Sequence, residues 1–159
     1  VIEKRGFKVV AAQDIAPELT FCSAGVQTKK KPSASDKKNI ERAIEVSHTI
    51  GSADIGASVV VDKQVVAVEA AEGTAKMLER VIKMRGKNKK VSGVFAKMTK
   101  PGQDLRIDIP AIGVDTVKAV AAAKLRGIIV NTKTCFVVNK TEVIKQANKL
   151  GIFILALDE

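Results

Sequence analysis

The stretch KMTKPGQDLRIDIPAIG, residues 97–113, sets two acids four positions apart, Asp104 and Asp108, in a segment punctuated by Pro101 and Pro110. Lys97 and Lys100 precede the acids and Arg106 lies between them. Carboxylates supply the hard oxygen ligands that Mg2+ takes, commonly one or two per site, with substrate phosphate and water completing the shell. Lysine and arginine neutralise phosphate oxygens, arginine through a bidentate fork. Together they point to metal-assisted phosphate chemistry, in which a polarised phosphorus and a nearby carboxylate base suffice to hydrolyse a phosphoanhydride. Leu105, Ile107 and Ile109 alternate with Asp104, Arg106 and Asp108, which predicts a short extended segment with its apolar side inward. On a straight strand the two acids would stand about 13 Å apart, too far to share one ion. Either the segment bends, or one acid binds metal while the other holds Arg106. The bland alternative is an Asp–Arg–Asp ladder that only solvates an edge.

A second acidic place is VEAAEGT, where Glu69 and Glu72 sit at the handover from a strand to a helix beginning at Gly73-Thr74. A helix N-terminus offers free N–H groups and partial positive charge, suited to phosphate, and equally to simple capping by glutamate. Other chemistries find little support. His48 is the single histidine, and Cys22 and Cys135 stand in no CxxC or Cys/His pattern, which argues against structural zinc. No serine occupies a GxSxG context. Both cysteines are expected to be reduced, buried, small apolar residues.

These residues need elements to hold them. FKVVAA (7–12) predicts a strand, and the polar, basic stretch 22–35 a linker. Ile40, Ala43, Ile44 and Ile50 recur at helical spacing over 36–50, with Ser33 or Ser35 as N-cap and Gly51 as the end. Residues 56–98 then read as hairpin (SVVV, a DKQ turn, VVAVE), helix 73–85 and strand. Residues 127–157 repeat the pattern: IIV, an NTKT turn, CFVV, helix 141–150 and strand IFILAL. Between them VDTVKAVAAAKLRG predicts an alanine-rich helix closed by Gly127. The fold class is therefore α/β, a mixed sheet built from two hairpin–helix–strand (β-β-α-β) units with packing helices.

The 159 residues suit one domain with an aliphatic core, since 46% are apolar and only 3% aromatic. No apolar run approaches the roughly 20 residues of a membrane span. VIEKRG reads as the end of a helix, the expectation being a fragment whose N-terminal part is missing. Lysine and arginine total 27 against 17 acids, a net charge of +10, with clusters at Lys29-Lys30-Lys31 and Lys87-Asn88-Lys89-Lys90. Such a charge fits nucleic acid, anionic lipid or a phosphorylated substrate. Without Trp or Tyr, stacking platforms for single-stranded nucleic acid are poorly supplied.

VVVDKQVVAVEAAEGT (59–74) followed by KMTKPGQDLRIDIPAIG (97–113) resembles the LpxI-type UDP-2,3-diacylglucosamine pyrophosphatases, from about FKVV to the C-terminus. The resemblance implies magnesium-dependent hydrolysis of the diphosphate of UDP-2,3-diacylglucosamine to UMP and 2,3-diacylglucosamine 1-phosphate, within lipid A synthesis. It implies water attack at the sugar-side phosphorus, a homodimer, and a cytoplasmic setting peripheral to the inner membrane. It also implies two domains per chain, so that residues 1–34 here would be a connecting strand and basic linker from a missing N-terminal domain and residues 35–159 the C-terminal catalytic domain. Carried onto this chain, Asp104 is the first candidate for the essential acid, with Asp108 its partner or alternative, both also as metal ligands. Glu69, Glu72 and Thr74 match the first segment; Lys97, Lys100, Gln103 and Arg106 match positions suited to holding diphosphate. Ala75 departs from the family pattern, which commonly has an acid after EGT, and so weakens a metal role for that helix start. The rival readings are a basic nucleic-acid-binding module, which a steep salt dependence would reveal, and a non-catalytic dimerisation domain.

Overall fold

The computed structural model describes residues 3–86 and 89–158, so Lys87 and Asn88 of the second basic cluster lie outside the described residues. Eight strands and five α-helices follow in the order α1 (Ala12–Ile15), β1 (Gly25–Val26), α2 (Ala34–Gly51), β2 (Ala57–Val61), β3 (Gln64–Val68), α3 (Gly73–Arg85), β4 (Val94–Lys97), β5 (Ala111–Ile112), α4 (Val114–Ala122), β6 (Gly127–Asn131), β7 (Phe136–Val137), α5 (Lys140–Leu150) and β8 (Phe153–Leu157). Six strands form one sheet in the order β1-β8-β6-β4-β2-β3. Its centre, β4, β6 and β8, is parallel, and antiparallel pairs flank it on both sides. The expected mixed α/β sheet is thus the observed one.

Burial explains the layering. β2 and β6 are buried along their whole lengths, as strands covered on both faces must be, and they read as nearly unbroken aliphatic runs. On one face Met77, Leu78 and Val81 of α3, Val117 and Val120 of α4, and Val143 and Ala147 of α5 form the larger core with Phe95, Ile128 and Ile154. On the other face α2 alone supplies Ile40 and Ala43, against Val60, Val94, Ile129 and Phe153. Ser33 caps α2 as expected: its hydroxyl accepts from the Asp36 N–H while the Asp36 carboxylate accepts from the Ser33 N–H, a capping box of about 1 kcal/mol. Asp36, only 1% exposed, also takes the Arg126 guanidinium at 2.9 Å, which ties the start of α2 to the start of β6. Desolvation pushes the Asp36 pKa up, but the Ser33 hydrogen bonds and Arg126 outweigh it, so the group stays below its ordinary value.

The first hairpin–helix–strand unit is present as β2–β3–α3–β4. Asp62 and Lys63 both have positive φ, at 52° and 66°, the shape of a type I′ hairpin turn, and the Asn39 side chain accepts from the Lys63 N–H at 2.9 Å. The second unit is not a hairpin. β7 pairs in parallel with β5 in a separate two-stranded sheet, because both edges of β6 are already taken by β4 and β8. The alanine-rich helix also stops earlier than Gly127, at Ala122, with Lys124 at φ 57° turning the chain. Gly127 instead opens β6, where a Cβ would stand 2.1 Å from the Phe153 ring.

FKVVAA is no strand. It runs without a ladder partner, with Phe7 64% and Val10 41% exposed, and passes into α1. The stretch 22–35 is laid onto the domain: β1 pairs with β8, the Asn148 side chain accepts from the Lys29 N–H at 2.7 Å, and Lys30 Nζ donates to the Gly151 carbonyl at 2.6 Å. A lysine there complements the negative end of α5. Burial, then the nearby Arg126 charge, holds the Lys30 pKa below its usual value. Cys135 is buried, and desolvation raises its thiol pKa to about 12, whereas Cys22 is exposed, against expectation. Among the described residues no helix is long and apolar enough to cross a membrane.

Candidate functional site

At the carboxyl end of β4 four pieces of chain enclose a cleft of about 620 Å³. One wall is the turn from α2 to β2, residues 53–56; the next is Glu69-Ala70-Ala71, leaving β3; the floor carries Lys97, Met98 and Lys100; the last wall is Gln103 together with residues 108–111. A crevice where the parallel strands end is the usual binding place in open α/β sheets.

The Gly-flanked acidic loop is coiled, not extended. Lys100-Pro101-Gly102-Gln103 forms a turn closed by the Gln103 N–H to the Lys100 carbonyl at 3.2 Å, with proline second and glycine at φ 73° third, as a type II turn demands. The Asp104 carbonyl then accepts from the N–H groups of Ile107 and Asp108, at 3.1 and 3.0 Å, and makes one helical turn. The Asp104 carboxylate accepts from the Arg106 N–H at 3.1 Å, the local bond that lets aspartate start a turn. Alternation over 105–109 would have needed a partner strand, and β4 already has β2 and β6 on its two edges. Ile107 consequently stands 78% exposed rather than inward.

Coiling gives the two acids different surroundings. Arg106 grips Asp104 with a fork, Nε to Oδ1 at 2.8 Å and Nη2 to Oδ2 at 2.7 Å, and reaches Glu3 with Nη1 at 2.9 Å. These hydrogen bonds lower the Asp104 pKa to about 2, and Asp104 raises that of Arg106. Neither residue lines the cleft. Asp108 does, and its Oδ2 accepts from Gln103 Nε2 at 2.7 Å and from Lys100 Nζ at 3.4 Å. The Gln103 hydrogen bond, helped by the Lys100 charge, outweighs the cost of burial and keeps the Asp108 pKa below its ordinary value. Gln103 also accepts from the Lys100 N–H at 3.0 Å, so one carboxamide braces both the turn and the acid.

Across the cleft Glu69, Thr74 and Lys97 form a cluster. Lys97 Nζ donates to Thr74 Oγ1 at 2.6 Å, Thr74 Oγ1 donates to Glu69 Oε1 at 2.7 Å, and Lys97 Nζ lies 3.6 Å from Glu69 Oε2. Thr74 sits in the first turn of α3, just behind the lining, and spends its hydroxyl on these two partners. Glu72 is farther out: it makes no cap and pairs with Arg80 at 2.7 Å, whose hydrogen bond lowers its pKa. The fold therefore gathers Glu69, Lys97, Lys100, Gln103 and Asp108 into one concavity, with Thr74 at its back, and leaves Asp104, Arg106 and Glu72 on outer surfaces.

Sequence reasoning passed over Asp54. It lies in the turn after α2 at φ 63° and takes Lys100 Nζ at 2.7 Å. The available signal was GSADIG, an acid between glycines directly after a helix end.

Two ammonium groups, Lys97 and Lys100, thus face three carboxylates, Asp54, Glu69 and Asp108, and the lining carries one net negative charge. A diphosphate entering such a cleft needs added positive charge. Among the described residues no three His, Cys, Asp or Glu side chains cluster tightly enough to hold a metal ion by themselves. Magnesium does not require that, since it keeps water and takes substrate phosphates beside one or two carboxylates. The hard oxygen donors of this cleft fit such an ion.

Two comparisons show what this chain is similar to. The family model of the LpxI C-terminal domain matches residues 23–155. The UDP-2,3-diacylglucosamine pyrophosphatase LpxI of Caulobacter vibrioides is 39% identical over 161 residues, an alignment that covers 98% of this chain and 57% of that protein. The chain thus spans little more than half the length of that curated relative. With both acidic segments drawn to one end of the sheet and a match along almost its whole length, the chain belongs to the LpxI family.

Proposed function

We propose that this chain carries phosphate-handling residues of a magnesium-dependent UDP-2,3-diacylglucosamine pyrophosphatase, which releases UMP and 2,3-diacylglucosamine 1-phosphate. What carries the reading is the cleft itself, where Lys97 and Lys100 meet Glu69 and Asp108 in one concavity. Lys97 and Lys100 bind the diphosphate oxygens. Asp108, with Glu69 across the cleft, would hold the cation, which when bound supplies charge neutralisation and polarises phosphorus. Gln103 orients Asp108, and Thr74 fixes Lys97 against Glu69. Asp104 is the second acid, ionised at neutral pH and paired with Arg106 beside the lining rather than within it. It becomes free to act when the Arg106 fork transfers to an oxygen of a diphosphate that extends past Gln103, the geometry that arginine matches best. Ile55, Met98, Ile109 and Pro110 give the cleft apolar ground beside these charges. The same reading places the protein in the cytoplasm at the inner membrane surface, as a homodimer.

The test is hydrolysis of UDP-2,3-diacylglucosamine by the intact protein in H2(18)O with Mg2+. UMP release that EDTA abolishes, with the label in the sugar phosphate, is the expected result. No UMP, or release indifferent to chelation, would overturn the reading. Residues 1–159 alone are expected to turn over less than the intact protein.

A further inference from the structure

We propose that Asp54, on the turn between α2 and β2, is a positioning residue that sets the Lys100 ammonium for the diphosphate, so that the site has a third chain segment beyond its two acidic motifs. This rests on the function proposed above. Lysine carries a point charge on a flexible four-carbon stem, and its use against a phosphate depends on where that charge is held. Here the stem is largely covered: it passes beside Gly56, where an added Cβ would meet Lys100 Cγ and Cδ at 3.8 Å, and the side chain is only 17% exposed. The head is held between Asp54 at 2.7 Å and Asp108 at 3.4 Å. Of the two carboxylates Asp54 is the closer.

The turn that carries Asp54 is itself set against the loop that carries Lys100. A Cβ on Gly51 would stand 2.8 Å from Pro101 Cδ, so glycine lets the end of α2 approach the proline. The Met98 N–H donates to the Gly56 carbonyl at 2.9 Å and fastens the far end of the turn beside β4. Between these two contacts the backbone adopts φ 63° at Asp54, a left-handed conformation that aspartate tolerates better than most residues.

The sign of the effect separates positioning from plain electrostatics. If Asp54 only adds negative charge, its neutralisation should tighten binding of an anion. If it positions Lys100, neutralisation should weaken binding, and only while Lys100 is present. The experiment is a double-mutant cycle in the intact protein with Asp54→Asn, Lys100→Met and both together, read as kcat/KM for UDP-2,3-diacylglucosamine and as calorimetric affinity for inorganic pyrophosphate with Mg2+. Asp54→Asn is expected to cost about tenfold in both readouts, to cost nothing further beside Lys100→Met, and to be rescued in large part by Asp54→Glu. Unchanged or tighter pyrophosphate binding by Asp54→Asn overturns the proposal, as does an equal loss in the Lys100→Met background. Should the intact protein hydrolyse no UDP-diacylglucosamine, the functional reading fails, while the pyrophosphate arm of the cycle still decides whether Asp54 acts through Lys100.

Discussion

Asp104 and Asp108 are the same residue type on one turn, yet one faces the cleft and the other faces out. Asp104 is clasped by a guanidinium fork that also reaches Glu3, and Asp108 is braced by a neutral carboxamide and shares a lysine with Asp54. Both are held below the ordinary carboxylate pKa, but by different partners and with different consequences. A bidentate ion pair engages both oxygens of Asp104, whereas the Gln103 and Lys100 contacts of Asp108 both fall on Oδ2. Four-residue spacing in the sequence says nothing about which condition each acid will meet.

The largest effect that would break this comparison comes from Asp108. Asp108→Asn is expected to lower kcat for UMP release by about 10²–10³-fold in the intact protein, the range lost when a catalytic acid–base or metal-holding group is removed. A loss below threefold would show that facing the cleft gives Asp108 no functional weight. Arg106→Gln should do less: about a tenfold rise in KM from the lost phosphate fork, with the melting temperature changed by no more than about 4 °C, since exposed ion pairs contribute little to stability. A large fall in melting temperature without a change in KM would make Asp104, Arg106 and Glu3 a structural brace.

The smallest effect is spectroscopic. Asp104 has its folded pKa depressed to about 2, so whatever stability the pairing contributes is present above the unfolded value near 4 and is lost as pH falls through 2. Because the pair is exposed, carboxyl NMR is the sensitive measurement. Its midpoint should lie near 2 in the wild type and return toward about 4 in Arg106→Gln, while that of Asp108 stays in place. Movement of both midpoints together would mean that the two acids share one environment.

Much of the fold was legible locally. The Ser33 cap, the Ile40 and Ala43 stripe, the Asp62-Lys63 turn and the α3 span each follow from nearest-neighbour chemistry, and each is where the pattern puts it. What failed depended on edges. Phe136-Val137 has the composition of a hairpin strand but found both sides of β6 occupied, and FKVVAA pairs with no strand among the described residues. Residues 105–109 alternate as a strand would, yet the Asp104 side chain and carbonyl close a turn there instead.

The candidate site divides the same way. The sequence by itself determined the residue types, the prolines that stiffen the loop and the glycine that lets it turn, and the family, because these are properties of short segments. Only tertiary structure decided that Glu69 and Lys97 meet Asp108, that Arg106 turns outward to Glu3, and that Asp54 belongs to the site at all. Those contacts join positions tens of residues apart through the pairing of β2 with β4 and the packing of α2 against Pro101, and no local spacing encodes a distance across a sheet.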